Sequence, residues 1–500
     1  MSASNNKQKP GRNTPPRRNR AQKREALLEG SAIEIEVHGL SPQGDGIATV
    51  AGREVFVPDL FPGENATVRI LDVAKKRPLA RARVLTRTQD HPDRRPVPCT
   101  HHSSHPEGEC SGCPLMALGP AAQHALKRDQ LRQRYGFEVD RFESSDATLG
   151  YRYSAKRVVA GQPGALFLGS YRRDSHRVAV MTDCQVDHPR IRECTQELVE
   201  VANRMGLRAY RPAPPPETDG TPIGPAIGDL RYAWFKTDGE GVLLTLITGE
   251  AQNPTVKELA QALKTPSGVA WSIQSQAGNS LRGNAATMLC GTPKLNLKLA
   301  DQPVEVGPLG FLQPNPPVAE MAYRDLTCRM DGSPLDGAHA CDLYAGAGVT
   351  TALLRERFTQ VSVCESHPES ALALGIAPLR AEDFLANLES AGHSAPALMI
   401  ANPPRTGLGA SVCSQLLRIG PQRLHIMSCN PGSLRRDLDA LAPGFEIEGM
   451  RAYDTLPQTA HMELVVWLRQ TATPTTNSAN SQNSPLASPS LRSARSESRC

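Results

Sequence analysis

Long apolar runs are missing from this chain. No stretch of its 500 residues approaches the ~20 apolar residues that cross a bilayer. Nor is any run near the start long enough for a secretory signal. The expectation is a cytoplasmic protein with no membrane partner. Aromatic residues are scarce at 4%, yet an apolar fraction of 39% permits real cores. Twelve cysteines without a secretory signal argue for a reducing setting, and for ligand or catalytic use over disulfides.

The net charge is a modest +5, but its distribution is uneven: residues 1–30 hold eight Lys or Arg against two Glu. That segment and residues 471–500, rich in Ser, Asn, Thr and Pro, cannot bury enough apolar surface to offset ordering. Both read as disordered tails, the first either a solubilising tail or an arm for RNA phosphates. The length exceeds what one core holds, so two or three domains are expected.

From Ala32 the pattern alternates, with Ile33, Ile35 and Val37 on one face and Glu34, Glu36 and His38 on the other. That period of two is strand. Glycine and proline punctuate further short runs, and five strands within 31–92 suggest a small OB-like β-barrel. Lys75, Lys76, Arg77, Arg81 and Arg83 give it a basic face.

Cys99, Cys110 and Cys113 follow, with Cys184 seventy residues further on. Four thiolates suit either tetrahedral zinc or a four-iron, four-sulfur cluster, and spacing alone leaves both open. Residues 93–295 read as a central α+β domain around these cysteines, with Tyr151, Arg152, Tyr153, Tyr171 and Arg172 suited to stacking on bases and meeting phosphates.

Residues 296–470 read as a Rossmann-like domain. An apolar strand leads into Asp342-Leu343-Tyr344-Ala345-Gly346-Ala347-Gly348 and then a helix, the start of a doubly wound sheet with its ligand at the strand's carboxyl end. A second strand ends in Glu365, an acid placed to accept ribose hydroxyls. Next come Asn402-Pro403-Pro404-Arg405-Thr406-Gly407 and Ser428-Cys429-Asn430-Pro431, and finally Glu463 ahead of an apolar run. A thiol and a carboxylate at one sheet edge suit covalent catalysis. A lone cysteine would more often be a buried core residue; the surrounding motifs reverse that balance.

These last three stretches resemble the signatures of the RNA (uracil-5-)-methyltransferase family, and the likeness spans nearly all of the chain between the tails. Leu456 stands where the family usually has Phe, and Asn402 where Asp is commoner. The resemblance implies S-adenosyl-L-methionine as cofactor, held by Gln313, Tyr344, Gly346, Gly348, Glu365, Asp383 and Asn402. It implies Cys429 as nucleophile and Glu463 as proton acceptor. It also implies a [4Fe-4S] cluster on Cys99, Cys110, Cys113 and Cys184, and a TRAM domain as the barrel. The expected product is 5-methyluridine in RNA, most readily 23S ribosomal RNA, made by a monomer. Transfer RNA, an amino-group methyltransferase and a non-catalytic RNA-binding relative are the alternatives. Arg405, where the amino-group enzymes have an aromatic residue, argues against the second. The stretch from Glu365 to Asp383 is short for the family, so a helix and its following strand must be compressed there.

Overall fold

The computed structural model describes residues 27–471 apart from 174, 213–226, 251–252, 277–280, 282 and 393. The expected tails fall outside these residues, save for 27–30 and Thr471.

The alternating segment forms β1 (Ala32–Glu36). With β2 (Gly39–Leu40), β3 (Gly46–Val50), β4 (Arg53–Val57), β5 (Asn65–Val73) and β6 (Leu79–Gln89) it makes one sheet in the order β1-β5-β6-β4-β3-β2. The sixth strand arises because the two-residue β2 pairs with β3. Ile35 and Val37 join Val55, Leu60, Val68 and Ile70 in one apolar cluster, while Glu34, Glu36 and His38 lie toward the other face. Each buried aliphatic chain is worth about 1.5–3 kcal/mol, which fixes the face that turns inward. Lys75, Lys76, Arg77, Arg81 and Arg83 all lie exposed.

After the cysteine loop come α1 (Pro120–Tyr135) and β7 (Arg141–Glu143). Proline opens α1, and Gly136 closes it in the left-handed region, the usual asymmetry of helix ends. A central sheet follows, built from β8 (Ser154–Gln162), β9 (Ala165–Tyr171), β10 (Val178–Val180), β11 (Tyr232–Thr237), β12 (Val242–Thr248), β13 (Gly268–Ile273) and β14 (Ala286–Gly291). Its order is β10-β9-β8-β11-β12-β13-β14. Helices α2 (Pro189–Arg204) and α3 (Pro254–Ala262) cover one face through Leu198, Val201 and Leu259. The hairpin β15 (Leu295–Leu299) and β16 (Gln302–Val306) packs on Leu243 from the other side. Strands β11 and β12 are consequently buried along their whole length.

The last region carries α4 (Pro316–Leu326), β17 (Gly337–Leu343), α5 (Val349–Arg355), β18 (Phe358–Cys364), α6 (Pro368–Ala373), α7 (Ala381–Ser390), β19 (Leu398–Ala401), α8 (Gly409–Ile419), β20 (Arg423–Ser428), α9 (Pro431–Leu441), β21 (Phe445–Tyr453) and β22 (Glu463–Gln470). The sheet runs β18-β17-β19-β20-β22-β21-β7. Its first four strands are parallel; β22 slots antiparallel between β20 and β21.

Two features depart from the sequence reading. Strand β7 pairs parallel with β21, and Leu131 and Phe137 share a core with Leu424 and Leu464. The segment 120–143 thus belongs with the last sheet rather than with the central one. Between Glu365 and Asp383 the helix shrinks to the six residues of α6, and the chain enters α7 with no strand between them. Among the described residues no helix is long and apolar enough to cross a membrane.

Candidate active site

The carboxyl ends of β17, β18, β19 and β20 open into a cleft of about 620 Å³. Gln313, Tyr344, Gly346, Glu365, Asn402, Cys429 and Glu463 all line it. Gly348 does not reach its wall, and Asp383 stands apart from it. Asp383 lies in the first turn of α7, ion-paired with Arg380 at 3.0 Å and half exposed. The chain reaches this acid in a helix rather than at a strand end, and it is not among the side chains that line the cleft.

Register brings Cys429 and Glu463 together. Ser428 at the end of β20 pairs with Leu464 near the start of β22, so the next residue of one strand, Cys429, meets the preceding residue of the other, Glu463. Burial pushes the Cys429 thiol up to about 11; Glu463 adds to this, while Arg405 hydrogen-bonds the sulfur and opposes it. Burial also lifts Glu463 to about 8, again opposed by Arg405. A helix start and a cation flank the thiol, but desolvation outweighs them.

The Asn402–Gly407 loop is tied to α9, the helix that follows Cys429. Asn430 caps α9 by accepting from the Gly432 and Ser433 amides, and its own side-chain amide donates to the Arg405 carbonyl at 2.9 Å. Asp437 of α9 accepts from the Leu408 and Gly409 amides at 2.9 and 3.2 Å. A side chain at Gly407 (φ +85°) would come within 2.3 Å of the Asp437 carboxylate, so only glycine lets loop and helix approach this closely.

At the cofactor end, the Glu365 carboxylate accepts from the Gly346 amide at 2.8 Å and the His367 amide at 2.6 Å. Asp342 is buried beneath the glycine turn. It accepts from Thr350 and Thr351 hydroxyls at 2.8 and 2.6 Å, and burial lifts it to about 6 despite them. Asp342 thereby pins the start of α5 under the turn. Gly348 enters α5 at φ +82°, where a side chain would meet Leu374 at 2.5 Å.

Several contributors were not singled out in the sequence. Tyr323 of α4 lines the cleft, hydrogen-bonds Gln313 and is held neutral by burial and by Glu463. Lys156 and Trp234 close the far wall, with the Lys156 ammonium 4.0 Å from the Trp234 ring centre. A helix period could have placed Tyr323 on α4, but nothing local pointed it at a carboxylate 140 residues away.

Cys99, Cys110, Cys113 and Cys184 line one small cavity of about 20 Å³. Among the described residues no three His, Cys, Asp or Glu side chains converge tightly enough to hold a single metal ion. Burial pushes the thiols of Cys110, Cys113 and Cys184 up, and the buried guanidinium of Arg152 opposes this. The rings of His102 and His105 instead bond the carbonyls of Cys113 and Val97, at 3.1 and 3.0 Å.

The model of the TRAM domain matches residues 26–85, and that of the tRNA (Uracil-5-)-methyltransferase family matches residues 385–471. The chain thus carries a TRAM domain and a domain of the RNA (uracil-5-)-methyltransferase family. It is therefore an RNA methyltransferase with a TRAM domain at its front. Among its relatives, an uncharacterized RNA methyltransferase of a Synechocystis strain is 29% identical over 464 residues, spanning 88% of this methyltransferase and 96% of the relative. One from Halalkalibacterium halodurans is 25% identical over 470 residues, covering 88% and 97%. The fold of this methyltransferase is that of the tRNA (uracil-54, C5)-methyltransferase of Pyrococcus abyssi, solved with S-adenosyl-L-homocysteine. The TM-score is 0.65 and the identity 21%, over 87% of this chain and all of the other.

Proposed function

We propose that this enzyme methylates carbon 5 of a uridine in RNA through a covalent bond between Cys429 and carbon 6. The observation that carries the reading is the register that sets Cys429 beside Glu463 at one cleft, with Arg405 against both.

Carbon 5 of uracil is a poor nucleophile while the ring stays conjugated. The thiol loses its proton to solvent, and the Arg405 guanidinium stabilises the resulting thiolate. Sulfur adds to carbon 6, the double bond opens, and the electrons reside in an enolate whose carbon 5 is nucleophilic. When bound, S-adenosyl-L-methionine would supply the methyl group there and be left as S-adenosyl-L-homocysteine. The Glu463 carboxylate then removes the carbon 5 proton, the double bond re-forms, and the thiolate leaves. A carboxylate that titrates near 8 is a stronger base than an ordinary one, which suits a carbon acid. Gln313, Tyr344, Gly346, Glu365 and Asn402 would hold the cofactor, with Glu365 exchanging its amide partners for ribose hydroxyls. Gly348 would serve by turning the chain. A base in a duplex cannot reach such a cleft, so the uridine is unpaired or flipped.

The four cysteines suit a [4Fe-4S] cluster: they line one cavity, the rings of His102 and His105 are committed to carbonyls, and Arg152 offers charge against Cys110, Cys113 and Cys184. The chemistry above needs no electrons from it, so its role would be to order this region. Ribosomal RNA is the proposed substrate from the family resemblance, and transfer RNA is the alternative, since a tRNA enzyme shares this fold over its whole length. The test is to map 5-methyluridine in ribosomal and transfer RNA from a strain lacking the gene, then to restore the mark with purified enzyme. Loss from neither RNA would overturn the reading.

A further inference from the structure

Beside the cleft lies a second cavity, of about 280 Å³. Five parts of the chain meet there: the first-sheet turn at Gln43, the cysteine loop at Ser111, the end of β9 at Ser170 and Tyr171, β10 at Ala179, and the loop before β22 at Thr459. His461 lines both this cavity and the active-site cleft, so the two adjoin across one side chain. Tyr171 is 47% exposed, so much of its ring surface is left uncovered in this wall. Arg173 on the wall is ion-paired with Asp45 and donates to the Gln43 carbonyl at 3.0 Å. Its charge is met within the wall, and what remains toward the cavity is an aromatic face with hydroxyl and amide groups. That surface suits an uncharged planar heterocycle rather than a phosphate.

We propose that this cavity is a subsite for the base of a nucleotide flanking the target uridine, stacked on Tyr171 and read by the polar groups around it. The inference rests on the reading of Cys429 and Glu463 given above. A strand whose target uridine enters the cleft must pass His461 in one direction, and the neighbouring base then lies opposite Tyr171. The first sheet, the cysteine loop and the catalytic loop would each supply part of a specificity pocket that none forms alone.

The test uses the full chain, S-adenosyl-L-methionine and a nine-nucleotide single-stranded RNA with 5-fluorouridine at its centre and randomised flanks. Fluorine cannot leave as a proton does, so the Cys429 adduct accumulates and its rate of formation is read on a denaturing gel. An abasic residue at one flanking position is expected to slow trapping by about tenfold, the worth of one base stacked on an aromatic ring. Tyr171→Ala should slow trapping of the intact RNA similarly, and the abasic residue should then cost nothing more. Insensitivity at every flanking position, or losses that add in full, would overturn the subsite while leaving the covalent mechanism standing. No trapping of any RNA by the wild type would remove the mechanism and the subsite together. Because Tyr171→Ala can fail by misfolding, 4-thiouridine at the sensitive position is also crosslinked to wild-type enzyme. Attachment to peptides holding 110–112, 170–173 or 459–461 is expected; attachment only to the 75–83 stripe would refute the proposal.

Discussion

The ammonium of Lys127 lies 2.6 Å from Oδ1 of Asp454, with both side chains almost wholly buried. The same ammonium donates to the His461 carbonyl at 3.1 Å. One helical turn earlier, Gln123 and Gln458 exchange two hydrogen bonds of 2.8 and 2.9 Å, and the Tyr151 hydroxyl donates to the Pro457 carbonyl. Residues 115–151 thus grip the loop 454–461 that delivers Glu463. Burial would raise Asp454, but Lys127 and His124 hold it below the usual carboxylate range.

Lys127→Met should therefore destabilise the fold by about 3–5 kcal/mol, the cost of stranding one member of a buried ion pair. Urea unfolding measures this. Adding Asp454→Asn should recover much of the loss, since an amide needs no counter-charge. Recovery of nothing would show that the lysine acts through packing alone.

Cys429→Ala should abolish transfer of labelled methyl groups to RNA. Glu463→Gln should leave methylation of the ring possible but block proton removal, so enzyme accumulates covalently on RNA. Gel shift under denaturing conditions separates the two variants.

Glu463 titrates near 8, so adduct resolution in single-turnover assays should rise about tenfold per pH unit below that point and level off above it. The stability consequence has the opposite sign. The folded carboxyl holds its proton to higher pH than the unfolded one, near 4.3, so stability falls as pH rises from there to about 8. Glu463→Gln should flatten that fall in thermal unfolding profiles.

Anaerobically purified enzyme should contain about four irons and matching sulfide per chain. One zinc with no iron would reassign the four thiolates to a structural zinc site.

Replacing Lys75, Lys76 and Arg83 by alanine should weaken RNA binding and lower its salt slope by about 0.7 for each phosphate no longer neutralised. Calorimetry should show cofactor affinity unchanged, because these side chains are exposed on the first sheet. Deleting that sheet is a poorer test, since its Leu40 and Phe61 share an apolar cluster with Leu118, Leu126 and Ala460.

Local signals carried much of the reading. The period of two near Ala32, the glycine turn after Asp342 and the cysteine at a strand end each depend on neighbours in sequence. The grip of Lys127 on Asp454 spans 327 positions, and a lysine on a helix looks locally like any solvated one. The setting of Asp383 was illegible for a related reason: spacing counts residues, and it does not tell that this acid lies in the first turn of α7. The thiol's high titration point was likewise invisible, because desolvation comes from every element packed around the cleft.

The antiparallel slot of β22 between β20 and β21 also sets an order in time. Chains are synthesised from the amino end, and early regions fold while later ones are still being made. Cys429 is translated ahead of β22, and its strand stays without a neighbour on that side until the final strand is inserted. A nascent chain on the ribosome, itself surrounded by RNA, therefore carries Cys429 without Glu463, the pair on which the proposed mechanism depends. Catalytic competence arrives as a late event, coupled to closure of the sheet.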